Sequence, residues 1–184
     1  TQTWDDLASL QNEEYESQNN LLLLDGNNLA FRFVKTANYN SFTRRYIETV
    51  ASLSKSYKAK RTICLFDFGR SQYRTSIFPE YKANRKRPED TAEAEAMDEF
   101  FACLNLTTEE LPYEKYKLRG IEADDLITFF AENLKEKYDN IYIISSDKDL
   151  YQLLDDNTFM FSLFNPKRGD INSDFLLEQR GLTI

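Results

Sequence analysis

Three short apolar runs, each closed by an aspartate, constrain this chain more than any other feature: LLLLD at 21–25, TICLFD at 62–67 and IYIISSD at 141–147. Short runs with little polar alternation are the mark of strands buried on both faces. Between the first two, Phe42, Tyr46, Ile47, Val50, Leu53, Ser54 and Tyr57 recur at helical spacing from Ser41 to Lys60, with basic residues between them. IEADDLITFFAENLKEKY at 121–138 predicts a second helix leading into the third run. Strand, helix, strand, helix, strand predicts an α/β fold, a central, mostly parallel twisted sheet flanked by helices with right-handed crossovers.

The remaining segments are less regular. GNN at 26–28 reads as a turn, and residues 70–90 are dense in Arg, Lys and Tyr with no steady apolar period. A helical pattern returns over 91–106 through Ala94, Met97, Phe100, Phe101 and Leu104. YEKYKL at 113–118 alternates as a strand, KDLYQLL opens a helix, and FMFSLF at 159–164 suits an edge strand. Ser173-Asp174 starts a last short helix that Gly181 would end. Residues 1–20 form an acidic arm, and 21–184 the folded part.

In open parallel sheets, ligands bind outside the carboxyl ends of the strands, so Asp25, Asp67 and Asp147 are expected on one edge. Each alone suits a helix cap or turn. Three together repel one another unless a counter-ion sits among them. Glu122, Asp124 and Asp125 crowd the opening turn of a helix, where the dipole welcomes an acid or two but capping does not require three. Asp149 follows Asp147 by two residues, on the same side if the segment is extended. These seven carboxylates make an all-oxygen set, which selects Mg²⁺ or Mn²⁺ over zinc. Two such ions, roughly 4 Å apart, suit in-line phosphoryl displacement.

Composition narrows the chemistry further. The chain contains no histidine, which removes Ser-His-Asp and Cys-His catalysis and His-containing zinc sites. Its two cysteines, Cys64 and Cys103, sit in apolar surroundings and read as small buried residues in a reducing cytoplasm. Net charge is −8, unevenly spread: −5 over 1–20, +10 over 21–87 and −13 over 88–184. A basic half joined to an acidic half suits gripping phosphate beside a metal-loaded carboxylate cluster. Lys82 and Arg85, backed by Lys86 and Arg87, could clamp a scissile phosphate while Tyr73 and Tyr81 stack on bases; a solvated loop accounts for them equally well. No apolar run approaches the roughly 18–20 residues of a membrane span, and the acidic start is no secretory signal.

Five stretches, taken in order, carry a family resemblance: LLLLDGNNLAFRF at 21–33, ICLFDFGRSQYR at 63–74, FPEYKANRK at 78–86, LRGIEADDLI at 118–127 and IISSDKDLYQLL at 143–154. The chain resembles, from about residue 20 to 180, the phage flap endonucleases and the 5′-nuclease domain of bacterial DNA polymerase I, within the PIN-like group. The resemblance implies two or more Mg²⁺ ions, with Mn²⁺ substituting. Asp25, Asp67, Glu122, Asp124 and Asp125 match the first metal site, and Asp147 and Asp149 part of the second. Lys82 and Arg85 are similar to the basic pair at the base of a helical arch, expected over about 70–112, through which a single-stranded 5′ end passes. Arg32 and Tyr81 match positions near that gateway, with Arg70, Arg74, Lys86 and Arg87 as further nucleic-acid contacts. The implied reaction leaves a 5′-phosphate and a 3′-hydroxyl on DNA flaps, 5′ ends or RNA primers, with RNA–DNA hybrids and replication proteins as partners, no membrane, and the host cytoplasm as setting.

One departure concerns length. Family members continue into a helix-three-turn-helix element that grips duplex DNA, and this sequence stops where it should begin, so a longer parent protein or a partner is expected to supply it. Other readings stay open at this point. A PIN-type ribonuclease shares the sheet and acids, and an Asp-nucleophile phosphatase also uses strand-end Asp but expects Asp-x-Asp, where this chain has Asp25-Gly26-Asn27. A non-catalytic DNA-binding module is the third.

Overall fold

A computed structural model describes residues 19–34, 41–83 and 90–179. In chain order the elements are β1 (Asn20–Asp25), α1 (Gly26–Val34), α2 (Phe42–Ser56), β2 (Ala59–Phe66), α3 (Gln72–Ile77), α4 (Thr91–Glu110), β3 (Glu114–Lys117), α5 (Ala123–Leu134), β4 (Asn140–Ile144), β5 (Thr158–Phe161) and α6 (Ser173–Gln179). The strands form one five-stranded sheet in the order β3-β2-β1-β4-β5, and every pairing is parallel. The chain builds outward from β1 to β2 and β3, then returns to add β4 and β5 on the other side. That reversal beside β1 is a topological switch point, the place where open α/β sheets hold ligands.

The apolar runs behave as two-faced strands. Leu22 and Leu24 join Cys64, Phe66 and Ile144 in a core beneath α1, α2 and α4. Leu21 and Leu23 join Ile63, Leu65, Ile141 and Ile143 in a second core beneath α5. Successive side chains point to opposite faces, so a run with no polar residue is what a central strand between two helical layers requires. All four leucines of β1 are fully buried. β5 lies at the sheet edge, and both cysteines are free thiols, Cys64 buried and Cys103 partly so. Among the described residues no helix is long and apolar enough to cross a membrane.

Several local expectations are corrected. GNN is not a turn: Gly26 opens α1 directly, because the Asn28 N–H donates to Asp25 Oδ1 at 2.9 Å and Asp25 caps the helix. The helix expected at KDLYQLL is present, as a 3₁₀ helix over Lys148–Leu153. Asp147 and Asp149 do not lie along an extended strand; Asp147 Oδ1 accepts the Asp149 N–H at 3.0 Å, which curls the chain. In α4 the buried residues are Ala94, Phe100, Leu104 and Thr107, whereas Met97 and Phe101 are 39% and 40% exposed. The inward stripe is set by α2: Phe100 meets Phe42 edge-on, and the Thr107 and Thr43 hydroxyls pair at 2.8 Å. From Thr91 onward the expected arch region is thus a helix whose apolar side seats on the core. The acidic arm through residue 18 and the Gly181 stop lie outside the described residues.

Candidate active site

The carboxyl edge of the sheet is held together by polar residues that follow each strand. Asp25 closes β1, and its Oδ2 accepts the hydroxyl of Ser145, one residue past β4, at 2.9 Å. Two asparagines just beyond extend the clamp: Asn27 Oδ1 accepts the Asp67 N–H at 3.1 Å, and Asn28 Nδ2 donates to Ser146 Oγ at 2.7 Å. β1 is thereby tied to the ends of both its neighbours. Asp67, one residue past β2, accepts the Ala123 N–H through Oδ1 at 2.7 Å and so brings the start of α5 onto the same edge. Asn27, Asn28 and Ser145 were not among the expected site residues. Their signal was the polar GNN directly after a wholly apolar strand.

A second zipper joins the loops after β2 and β3. Gly120 N–H donates to the Phe68 carbonyl at 2.8 Å, and Gln72 N–H donates to the Gly120 carbonyl at 3.0 Å. Gly120 sits at φ +76°, a conformation that favours glycine, and a Cβ there would also push the exposed Gln72 side chain aside. This pairing sets α3 against the first turn of α5. Arg74 of α3 then reaches Glu122 through Nη1, Asp124 Oδ2 at 3.3 Å through the same nitrogen, and Asp125 Oδ1 at 2.7 Å through Nη2. From the turn that follows α3, Tyr81 Oη and Lys82 Nζ each donate to Glu122 Oε2 at 2.9 Å. Both cations also stand over the Tyr81 ring, at 5.6 Å for Arg74 and 5.1 Å for Lys82.

The electrostatics divide this edge in two. Burial pushes the Asp25 carboxyl up to about 7; hydrogen bonds from Asn28 and Ser145 oppose this, and the charges of Asp67 and Asp124 add to it. Asp25, Asp67 and Asp124 therefore feel one another, with too little positive charge between them. Asp124 is raised as well, by burial first and by Asp125 and Glu122, against the pull of Arg74. Glu122 behaves oppositely. Although it is buried, the hydrogen bonds from Lys82 and Tyr81 and the charges of Lys82 and Arg74 outweigh desolvation and hold its carboxyl below the usual range.

The expected residues thus separate into groups. Asp25, Asp67, Glu122, Asp124 and Asp125 come together at the edge through strand ends, α5 and Arg74. Asp149 lines the same cleft as Arg74, Tyr81 and Asp124, and Asp147 is exposed beside it. Among the described residues no three acids form a ready-made cage for an ion, and cationic side chains engage Glu122, Asp124 and Asp125. Arg70 is exposed just past β2. Arg32 lies apart, at the end of α1, in a separate hollow with Arg45 and Glu48. Arg85, Lys86 and Arg87 lie outside the described residues.

Comparison with known proteins fits this geometry. Residues 20–180 match the family model described as "5′-3′ exonuclease, N-terminal resolvase-like domain". The chain is 36% identical over 167 residues to the flap endonuclease of Escherichia phage T5, covering 88% of this chain and 57% of the relative. It is 31% identical over 152 residues to a 5′-3′ exonuclease of Buchnera aphidicola, covering 78% and 51% respectively. A crystal structure of a T5 flap endonuclease variant in a pseudo-enzyme–product complex with DNA and metal ions superimposes with a TM-score of 0.80 at 35% identity, covering 88% of this chain and 61% of that one. The chain spans about half the length of the two sequence relatives. With the family model spanning nearly the whole described sheet and its acidic edge, the chain belongs to the 5′-3′ exonuclease family through its N-terminal, resolvase-like domain.

Proposed function

We propose that this chain is the catalytic portion of a structure-specific, divalent-metal-dependent 5′-nuclease. It would hydrolyse phosphodiesters in DNA bearing a 5′ flap or end, with RNA–DNA hybrids such as primers as further substrates, in phage DNA replication alongside replication proteins. The observation that carries this reading is the meeting of Asp25, Asp67 and Asp124 beside Lys82, Tyr81 and Arg74 on the carboxyl edge of a parallel sheet. A relative whose name is flap endonuclease matches most of the chain, which supports it.

The donor set fits divalent cations of the hard class. It is all oxygen, it lacks histidine and exposed thiolates, and its Asp25 and Asp124 carboxyls are raised by burial first and by neighbouring acids second, so a cation would favour their ionised forms. Asp25, Asp67, Glu122, Asp124 and Asp125 would hold the first ion, and Asp147 and Asp149 would contribute to a second. Bound there, Mg²⁺ or Mn²⁺ supplies activated water and stabilises charge on the phosphoryl oxygens.

The chain's own residues do the rest. Lys82 is poised for the phosphate: it adopts φ +53°, a left-handed conformation that costs a lysine about 1 kcal/mol or more. The strained turn delivers its ammonium to Glu122 beside the cleft, from which it can pass to a phosphate oxygen. Tyr81 orients both Lys82 and Arg74 and offers a ring for base stacking. Arg85, Lys86 and Arg87 follow Lys82 closely in the sequence and would add further positive charge for the phosphate backbone. Asp67 places its carboxylate against the α5 amide and fixes the acids of α5 relative to β1. Water attacks phosphorus, the bond to the 3′ oxygen breaks, and the products are a 5′-phosphate and a 3′-hydroxyl.

Cleavage of a labelled 5′-flap DNA with Mg²⁺, beside a chelator control and Asp67→Asn, tests the reading. Cutting that requires the metal and is lost in the variant is expected. Cutting that survives either the chelator or the substitution would overturn it, and matched RNA strands distinguish a ribonuclease.

A further inference from the structure

We infer that Arg74 is an internal cation that competes with a divalent ion for the acids of the α5 first turn and must be displaced when metal binds them. The inference rests on the metal reading above and adds to it a competitor built into the fold. Its basis is geometric. A single guanidinium engages three acids of the α5 first turn, Glu122 and Asp124 through Nη1 and Asp125 through Nη2. These are carboxylates that would ligate an ion, and no other basic side chain among the described residues is shown pairing with Asp124 or Asp125. The planar fork of arginine suits several carboxylates at once, whereas a lysine would act as a point charge.

The arrangement is anchored on both sides. The Arg74 backbone N–H is capped by buried Ser71 at 3.2 Å, and α3 is zipped to the Gly120 loop, so the guanidinium is delivered from a fixed base. The same nitrogen that meets Glu122 also reaches Tyr81 Oη at 3.3 Å, and Lys82 shares Glu122. The turn at the start of the arch region is therefore latched to the acidic edge through one carboxylate. An ion carrying two charges, bound by those acids, removes the attraction that holds Arg74, and Arg74 then becomes free to meet an anionic substrate. Metal loading and release of the basic turn are in this way a single linked equilibrium.

The test measures metal binding without DNA. Mn²⁺ titration of the full chain, followed by electron paramagnetic resonance of the free ion, gives the dissociation constant for wild type, Arg74→Gln and Arg74→Lys. Removing a competing charge should tighten Mn²⁺ binding in Arg74→Gln by about five- to fiftyfold, with Arg74→Lys between it and wild type. Equal or weaker binding in Arg74→Gln, with wild type binding normally, overturns the inference and leaves the metal site standing. Absence of Mn²⁺ binding in both overturns the metal site as well. A second measurement needs no variant: the arginine side-chain ¹⁵N resonance of Arg74 in wild type should shift on saturation with Mg²⁺, and an unchanged resonance at saturation also overturns the inference.

Discussion

Gly26→Ala probes the joint between fold and site, because Gly26 directly follows Asp25. A Cβ built on Gly26 falls within the Phe66 ring, 2.8 Å from Cζ and nearer still to Cε1 and Cδ1. Real Cβ atoms essentially never show a contact under 3.0 Å, so one partner must move. The ring has little freedom: Phe66 is 1% exposed and stacks on Tyr46 at 6.4 Å, while the Tyr46 hydroxyl donates to the Gly26 carbonyl at 3.0 Å. The residue that pins the ring also grips the glycine. An added methyl in so closed a core costs about 1–3 kcal/mol. In a chain of 184 residues each kcal/mol lowers Tm by about 2–4 °C, so a fall of roughly 2–12 °C is expected. Urea unfolding followed by far-UV circular dichroism in chelator measures it, within a double-mutant cycle that adds Phe66→Leu. The smaller side chain opens the space the methyl needs, so Gly26→Ala should cost at least 1 kcal/mol less in that background. A cost below about 0.5 kcal/mol in wild type, or the same cost in both backgrounds, would refute the steric argument.

Three other perturbations follow from the same structure. Asp25, raised from 3.8 to about 7, stays protonated in the fold while the unfolded chain ionises, so metal-free stability should fall as pH rises from about 4 to about 7 and level off above. The effect is a few kcal/mol at most, and Asp25→Asn should flatten that slope in urea titrations at pH 5 and pH 8; an unchanged slope would sink the assignment. Tyr46→Phe strips the buried hydroxyl from the Gly26 carbonyl and should cost about 0.5–1.5 kcal/mol by thermal unfolding, the worth of one intramolecular hydrogen bond. Arg61→Ala removes a forked pair with Glu114, 2.7 Å on each arm, but both side chains are about one-third exposed, so the loss should stay near or below about 1 kcal/mol and shrink in high salt.

The sheet was legible because its strands are buried on both faces, and only an unbroken apolar run satisfies that environment. The alternation of Leu21 and Leu23 against Leu22 and Leu24 between two cores is a consequence no single-face pattern could have hidden. Asp25 and Asp67 were legible for the same reason, since a strand that ends in an acid places it at the edge. What could not be read is how side chains from distant segments choose among one another. Arg74 looked like one more base in a basic stretch; its three acids lie about 50 residues on and reach it only through the Gly120 zipper. Asn27 and Asn28 looked like a turn because their partners, the Asp67 amide and the Ser146 hydroxyl, belong to other strands. Asp147 and Asp149 were misplaced because a side-chain cap, invisible to strand periodicity, curls the segment between them.

Capping and ion binding are often set against each other as explanations of an acid at a strand end, yet the two are compatible on one carboxylate. An ionised carboxylate has about four lone-pair sites, and a backbone N–H takes only one. Asp25 caps α1, Asp67 meets the α5 amide and Asp147 caps the turn after β4, so each is oriented before any cation arrives. Those caps hold the acids where their mutual repulsion is worst, and they do so with dipoles that cannot cancel a full charge. Asp25, held by two hydrogen bonds, is still pushed up to about 7, chiefly by burial, with the charges of Asp67 and Asp124 adding to it. The fold supplies part of the missing charge through Arg74 and Lys82, on the α5 side of the cluster. The β1 side is served by neutral partners alone, Asn28 and Ser145. A divalent cation bound by these acids should therefore raise the stability of the whole chain as well as complete the site.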